Sequence, residues 1–197
     1  MNKRLFAALV VFLTAGTLCA EKIDMNGDFE KCKPDSNGVI LPEGWIINKG
    51  ISKKSEIQIT KEPDEIRNGK FALRIENEKD GTAYIMKWQP VEVGPGDKIQ
   101  CSVWVKGKGK IALGFITNGV LEGQKNSDFL GSSAWPVKQV NSETTWVETN
   151  NTYSVKEIKK DNKVYSKLSV IPIIYVENEA ELCLDDYTFE LIKAERK

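Results

Sequence analysis

Residues 97–106 read Asp-Lys-Ile-Gln-Cys-Ser-Val-Trp-Val-Lys, and their strict alternation of apolar and polar side chains decides the fold class. Successive side chains of a β-strand point to opposite faces, so a two-residue repeat predicts a strand with one buried face. The predicted buried side chains are Ile99, Cys101, Val103 and Val105. Trp104 falls on the other face, and an indole there is either covered by a loop or forms part of a binding surface.

Similar short runs follow one another along most of the chain, with little sign of the helical period. They cover residues 23–30, 44–48, 55–60, 70–77, 82–93, 110–117, 144–156, 162–176 and 181–192. Turn-forming sequences separate many of them, such as Asn68-Gly69, Asp80-Gly81 and Gly94-Pro-Gly-Asp97. Residues 118–143 lack a clear strand pattern, and long loops in compact domains are usually functional or mobile. Together these features predict an all-β fold, a two-sheet antiparallel β-sandwich of the jelly-roll type.

Length and composition exclude several classes of function. The chain has 197 residues, with 28 basic and 28 acidic side chains and no histidine. The length favours one domain, and the balanced charge argues against nucleic acid as a partner. Without histidine, Ser-His-Asp and Cys-His catalysis and histidine-ligated metal centres are excluded. An enzyme with this sequence would have to use carboxylate, Lys, Tyr or Cys side chains.

The first twenty residues have the organisation of a secretory signal peptide. Lys3 and Arg4 precede an unbroken apolar run over residues 5–13, and mainly small residues follow up to Ala20. The run is shorter than the roughly 20 apolar residues of a membrane-spanning helix. We therefore predict a signal peptide over residues 1–20, one domain over residues 21–197, and a secreted location, extracellular or periplasmic. Lipid attachment at Cys19 is the less favoured alternative.

Three cysteines remain beyond the predicted signal peptide: Cys32, Cys101 and Cys183. An odd number leaves at least one free thiol and excludes a disulfide-rich scaffold. Cys101 and Cys183 lie in apolar strand patterns, which suits small buried side chains. A bridge between these two is possible if their strands are neighbours.

Seven motifs follow one another in an order known from a family of jelly rolls. They are Asn26-Gly-Asp-Phe-Glu30, Leu41-Pro-Glu-Gly-Trp45, Asn68-Gly-Lys-Phe-Ala-Leu-Arg-Ile75, Val91-Glu-Val-Gly-Pro-Gly-Asp97, Cys101-Ser-Val-Trp-Val-Lys-Gly107, Thr145-Trp146 and Leu184-Asp-Asp-Tyr187. Over about residues 24–192 the chain resembles the galactose-binding-like carbohydrate-binding modules of families 4, 9, 16 and 22. The resemblance implies a β-sandwich that often carries a structural calcium ion and binds glycans on its concave sheet or at its loop tips. Trp45 and Trp146 fall within the motifs, and we assign both to the core.

Acidic side chains near both ends of the domain form a candidate metal site. Asp28 and Glu30 stand two residues apart in a strand pattern, so their carboxylates would point the same way. The apolar residues before and after Asp185 are out of phase, which predicts a β-bulge and an inward-facing carboxylate. Together with a turn carbonyl near Lys70, these oxygen atoms suit Ca²⁺, and the resemblance supports a structural calcium ion. The alternative is that these acids are solvated or paired with Lys or Arg.

Aromatic side chains out of phase with the core are the candidates for ligand binding. Trp88, Trp104 and Tyr175 would form an apolar platform if all three lie on one concave sheet, with Gln100 beside them. A sugar ring has an apolar face that can stack on such rings. Trp135 is a further candidate, because it lies in the 118–143 stretch. Alternatively, that stretch or a partner domain covers the rings, which would then be structural.

These features predict a secreted, monomeric, non-catalytic protein that binds a polysaccharide or oligosaccharide. The alternative is an adhesion or assembly module that contacts protein through the same fold, since exposed ring clusters suit either role. A glycosidase or lyase would need a pair of suitably spaced carboxylates. The strongest acidic candidates lie near the chain ends and are better explained by calcium, so we do not expect an enzyme.

Overall fold

The computed structural model describes residues 20–35, 38–48, 51–52, 54–160 and 163–195. The predicted signal peptide, apart from Ala20, and the alternative lipidation site Cys19 lie outside the described residues. Within them, the 3-10 turn Pro63–Glu65 is the single helical element. The described part of the chain therefore contains no helix with the length and apolar character needed to cross a bilayer.

The described residues form fourteen β-strands, and every strand pairing among them is antiparallel. The strands are β1 (Ala20–Lys22), β2 (Cys32–Pro34), β3 (Ile40–Pro42), β4 (Trp45–Ile47), β5 (Ser55–Thr60), β6 (Ala72–Asn77), β7 (Ala83–Lys87), β8 (Val91–Val93), β9 (Lys98–Leu121), β10 (Asp128–Ser133), β11 (Lys138–Ser154), β12 (Lys159–Lys160), β13 (Lys163–Val176) and β14 (Ala180–Ile192). This architecture confirms the predicted all-β, antiparallel jelly-roll sandwich.

The long strand β9 belongs to both layers of the sandwich. Its first half pairs with β14 and β11, and with β6 and β5 beyond β14 it forms the layer that we call sheet A. Its second half pairs with β13 and β10, and with β7, β4 and β8 it forms sheet B. Gly107 and Gly109 lie where β9 crosses from one layer to the other, with φ of +123° and +153°. A Cβ atom on Gly107 would lie 2.1 Å from the Glu181 carbonyl oxygen, so the crossing needs glycine.

The core lies between the two sheets and follows the predicted alternation. The inward side chains of the 97–106 run are between 0% and 3% exposed: Ile99, Cys101, Val103 and Val105. Trp45 is also in the core, and its indole N–H donates to the Met25 carbonyl oxygen at 3.1 Å. The assignment of Trp146 to the core is wrong, because its side chain is only half-buried on β11.

Three stretches differ from the sequence prediction. The runs at 97–106 and 110–117 are one strand, because the glycines between them allow a crossing instead of a turn. Residues 23–30 are not a strand: Asn26 and Phe29 adopt left-handed φ values of 50° and 56°, and Phe29 is fully buried. Residues 118–143 are largely ordered into strands, as the end of β9, all of β10 and the start of β11.

The possible bridge between Cys101 and Cys183 is not formed, and all three described cysteines have free thiols. The two strands are neighbours, but Cys101 lies opposite Phe189 and Cys183 opposite Lys106. Cys101 faces the core, whereas Cys183 alternates with buried Leu182 and points to the other side of the sheet. Burial raises the pKa of both thiols to about 12.

Candidate functional site

The outer face of sheet B is apolar, although the outer face of a sandwich sheet is usually polar. The inward residues of β9, β13 and β7 belong to the core, so the residues between them point outward. The outward set, in register across the strands, is Ile46, Tyr84, Met86, Ala112, Ile116, Ile171, Ile173 and Tyr175. Ala112 and Ile173 are completely buried even though they are on the outer side. Another part of the chain must therefore cover this face.

The covering part includes the end of β10 and the residue after it, since Ser133 and Ala134 lie against Gly114 of β9. Gly114 lies between the core residues Leu113 and Phe115, so a Cβ atom there would point outward. That atom would meet the Ser133 carbonyl oxygen at 1.7 Å and the Ala134 Cα at 2.6 Å. We call residues 132–135 the crossing segment. Glycine at position 114 allows this segment to lie directly on the sheet.

Trp135, at the end of the crossing segment, is exposed but firmly held. Trp135 is 68% exposed. Its backbone N–H donates to the Tyr153 hydroxyl at 3.0 Å, and that hydroxyl lies 2.6 Å from the Trp135 carbonyl oxygen. The Asn151 side-chain amide also donates to the same carbonyl and, at 3.1 Å, to the Leu113 carbonyl of β9. The structure therefore offers a large ring to solvent from a fixed backbone.

Three more aromatic residues belong to the same outer face. The rings of Tyr84 and Tyr175 meet edge to face with centroids 6.4 Å apart. Burial raises the pKa of Tyr84, and a hydrogen bond with Ser132 of the crossing segment opposes that rise. Trp88 follows β7 in the outward frame of Tyr84 and is 60% exposed, and its backbone N–H donates to the Gly44 carbonyl at 2.8 Å. We call Tyr84, Trp88, Trp135 and Tyr175 the aromatic face.

Charged groups lie at one end of the aromatic face. Glu177 follows Tyr175 by two residues, and its carboxylate pairs with the Lys110 ammonium group at 3.2 Å. The Glu177 N–H also donates to the Lys110 carbonyl at 2.9 Å. This end of the face combines apolar surface with polar side chains, as a site for a sugar requires.

Trp104 and Gln100 are not part of this face. Both lie in the first half of β9, within sheet A, where Trp104 is opposite Asp185 and Glu148. Gln100 is exposed between Thr152 and Glu190. The predicted platform of Trp88, Trp104 and Tyr175 on one sheet is therefore wrong: alternation shows the side of a strand on which a residue lies, but not the sheet to which that part of the strand belongs.

The acidic residues of the predicted metal site hold a loop in place. Asp185 is completely buried at a bulge in β14, which confirms the predicted inward carboxylate. Its Oδ2 accepts hydrogen bonds from the N–H groups of Arg67 and Asn68, both at 3.0 Å. Its Oδ1 accepts the Asp186 N–H at 2.7 Å. Burial outweighs these hydrogen bonds and raises the pKa of Asp185 to about 6.

Glu30 holds the other end of the same loop. Its Oε1 accepts the N–H groups of Lys70 and Phe71 at 2.6 and 3.1 Å. Asp28 is exposed, and it does not share a strand face with Glu30 because Phe29 between them is left-handed. The described residues contain no group of three or more acidic or cysteine side chains arranged to hold a metal ion. Calcium would therefore depend on backbone carbonyl oxygens beside Glu30 and Asp185, and it stays a prediction.

Sequence reasoning missed the groups that hold the crossing segment. Asn151 and Tyr153 lie in a strand pattern with nothing to mark their partners, which are 16 and 18 residues away. Gly114 has no turn sequence around it. The sequence did indicate Tyr84, because it lies four residues before Trp88 and therefore on the same face of a strand.

The class of protein defined by this geometry is a jelly-roll β-sandwich, the fold implied by the resemblance to carbohydrate-binding modules. No protein-family model matches the chain, and no curated protein matches it. The chain does match solved structures. An arabinose-bound GH51 α-L-arabinofuranosidase is 12% identical with a TM-score of 0.54, over 90% of this chain and 27% of its own.

Two further solved structures have the same kind of likeness. A Stig cyclase from Fischerella sp. TAU is 14% identical with a TM-score of 0.53, over 90% of this chain and 100% of its own. The CBM22-1 xylan-binding domain from Paenibacillus barcinonensis is 18% identical with a TM-score of 0.47, over 90% of this chain and 96% of its own. The arabinofuranosidase and the cyclase have TM-scores above 0.5 at low identity, so these two likenesses show a shared fold and do not identify a ligand.

Proposed function

We propose that this protein binds carbohydrate, and that the ligand lies along the aromatic face of sheet B. The observation that carries the proposal is Trp135, an exposed indole whose backbone is fixed by Tyr153 and Asn151. A rigid aromatic side chain gives a large contact area at a low cost in conformational entropy. The motif order of carbohydrate-binding modules supports a sugar as the ligand.

The proposed contacts divide between stacking and hydrogen bonding. The apolar faces of successive sugar rings pack on Trp88 and Trp135, because exposed indoles are the best stacking partners for them. The ammonium and carboxylate groups of the Lys110–Glu177 pair then bond sugar hydroxyls at the edge of the face. An extended poly- or oligosaccharide suits a surface made from several strands.

Binding proceeds without turnover. Glycoside hydrolysis needs two carboxylates about 5–9 Å apart. Glu177, which continues the outward frame of β13, is in an ion pair with Lys110.

We propose that the protein acts outside the cytoplasm as a monomer once residues 1–20 are removed.

The test is retention on insoluble xylan, cellulose, mannan and chitin, measured with purified protein and its variants. W88A and W135A should each weaken retention by about tenfold, since one stacking ring contributes on the order of 1–3 kcal/mol. Their melting temperatures should stay close to that of the parent, because both rings are exposed. W146A is the matched control and should bind like the parent. Unchanged retention in the W88A and W135A variants would show that the aromatic face is not the site.

A second candidate function is protein binding, and one feature favours it. Exposed apolar side chains cluster in the chain around β3 and β4: Val39, Ile40, Ile46 and Ile51, at 40%, 47%, 42% and 46% exposure. Apolar surface of this kind often contacts another protein. Retention on none of the polysaccharides would favour this function over the first.

A further inference from the structure

We propose a second sugar-binding site on the opposite side of the sandwich, in a pocket beside Trp104 on the outer face of sheet A. The site takes a single neutral sugar unit. This second site does not depend on the aromatic face, which is formed by other strands and lies on the opposite outer side of the sandwich.

The pocket has a volume of about 380 Å³, within the range of small-molecule sites. The residues that the argument uses are Asp28, Arg67, Ser102, Trp104, Glu148 and Thr188, all of which line it. They come from the segment before β2, from the loop before β6, and from three adjacent strands. Groups from distant parts of the sequence thus converge on one concavity, as in binding sites generally.

Trp104 forms a fixed apolar wall of the pocket. The Arg67 guanidinium lies 3.9 Å from the centre of its ring, and Arg67 is itself paired with Asp186. The backbone N–H of Arg67 is anchored on buried Asp185. Trp104 is half-buried and is not part of the hydrophobic core, so packing of the core does not account for it. An aromatic wall that is held from one side suits the apolar face of a sugar ring.

Polar groups around the ring match the hydroxyls of a sugar. The hydroxyl groups of Ser102 on β9 and Thr188 on the neighbouring strand β14 are hydrogen-bonded to each other at 2.9 Å. Glu148 lies directly opposite Trp104 on β11, and both Glu148 and Asp28 are exposed. Carboxylates accept two or more hydrogen bonds from hydroxyl donors, and Arg67 can donate to a ring or hydroxyl oxygen.

Charge decides which sugar the pocket accepts. Its acidic side chains are Asp24, Asp28, Glu148 and Asp186, against the basic side chains Lys22 and Arg67. Asp186 already pairs with Arg67 and Asp24 with Lys31, which leaves Asp28 and Glu148 against Lys22. A uronate would bring another carboxylate into this surrounding and would be repelled. We therefore assign a neutral hexose or pentose unit to the pocket.

Two sites on opposite outer faces would let one protein molecule hold two glycan chains at once. The outward residues of sheet A and those of sheet B point away from the shared core. Such a protein would cross-link a polysaccharide instead of merely adhering to it.

The test uses the indole N–H signals of ¹⁵N-labelled protein, one for each of the five tryptophans. The probes are methyl β-glucoside, methyl β-galactoside, methyl β-xyloside and glucuronate, and the W104F variant identifies the Trp104 signal. We expect a neutral glycoside to shift the Trp104 signal in a saturable way, with glucuronate at least about tenfold weaker. The Trp45 signal is the internal control, because its N–H is buried against Met25.

E148Q removes one carboxylate at the rim and should weaken the Trp104 response about tenfold, as expected for a hydrogen bond to a charged group. E122Q, in the exposed turn after β9, is the matched control and should respond like the parent. A Trp104 signal that no neutral glycoside shifts, or that glucuronate shifts equally well, would overturn the proposal. Shifts of Trp88 and Trp135 alone would overturn the second site and leave the aromatic face in place, whereas a shift of Trp104 alone would support the second site.

Discussion

Replacing Gly114 by alanine should lift the crossing segment from sheet B. The new Cβ atom would lie 1.7 Å from the Ser133 carbonyl oxygen, and real Cβ atoms keep at least 3.0 Å from such a neighbour. The backbone at Ser133 must therefore withdraw by about 1.3 Å, because a packed outward face has no free space to absorb the methyl group.

The energetic consequence follows from this displacement. Overpacking of a well-packed site costs about 1–3 kcal/mol, and we expect the free energy of unfolding of G114A to fall by that amount. The hydrogen bonds that hold the Trp135 backbone to Tyr153 and Asn151 would lengthen or break. Trp135 would then have to be ordered when the ligand binds, which weakens affinity roughly tenfold.

Denaturant unfolding and polysaccharide retention measure the two effects separately. G119A is the matched control on the same strand: the atoms nearest to its Cβ would belong to the side chains of Leu130 and Tyr165, at 2.6 and 2.7 Å, and not to backbone as at Gly114. G119A should therefore keep the affinity of the parent. If G114A unfolds and binds like the parent, the crossing segment does not rest on Gly114 and the reasoning is refuted.

Three other measurements test other parts of the structure. Burial would raise the pKa of Asp97, but N–H groups of Ala194 and Gly94 and the ion pair with Lys193 outweigh it and hold the pKa below 3.8. Asp97 therefore stabilises the fold above pH 3.8 and loses this effect as the pH falls through its lowered pKa. In urea unfolding, D97N should lower the free energy of unfolding by about 2 kcal/mol at pH 7, and by less as the pH falls through that pKa. If a structural calcium ion binds beside Glu30 and Asp185, EDTA should lower the melting temperature and added calcium should restore it; a melting temperature that neither changes excludes that ion. Thiol titration of unfolded, unreduced protein should detect Cys101 and Cys183 as free, and a mass consistent with a bridge would contradict the register of β9 and β14.

The period of two residues predicts the inward faces of the strands well. The alternation identifies the buried side of β9. A change of phase in the apolar pattern of β14 indicates a bulge within that strand and locates it at Asp185. The same rule fails at residues 23–30, where Asn26 and Phe29 turn the chain although the pattern alternates. Alternation alone does not exclude an irregular segment whose apolar residues pack on the end of the sandwich.

The site was less predictable than the fold because it depends on contacts between distant segments. Trp88 and Tyr175 could be recognised as outward residues, but Trp104 could not be separated from them without the crossing of β9 between sheets. The fixation of Trp135 needs Tyr153 and Asn151, which look like ordinary strand residues in the sequence. Local patterns therefore locate the rings, and tertiary structure decides which of them act together.

The passage of β9 through both layers also determines how the sandwich comes apart. This strand of 24 residues has hydrogen-bonded neighbours on both sides, and its two halves are joined by continuous backbone. Neither layer can melt and leave the other intact, because both would lose the same central strand. The described body should therefore unfold in one cooperative step, with both outer faces lost at the same temperature.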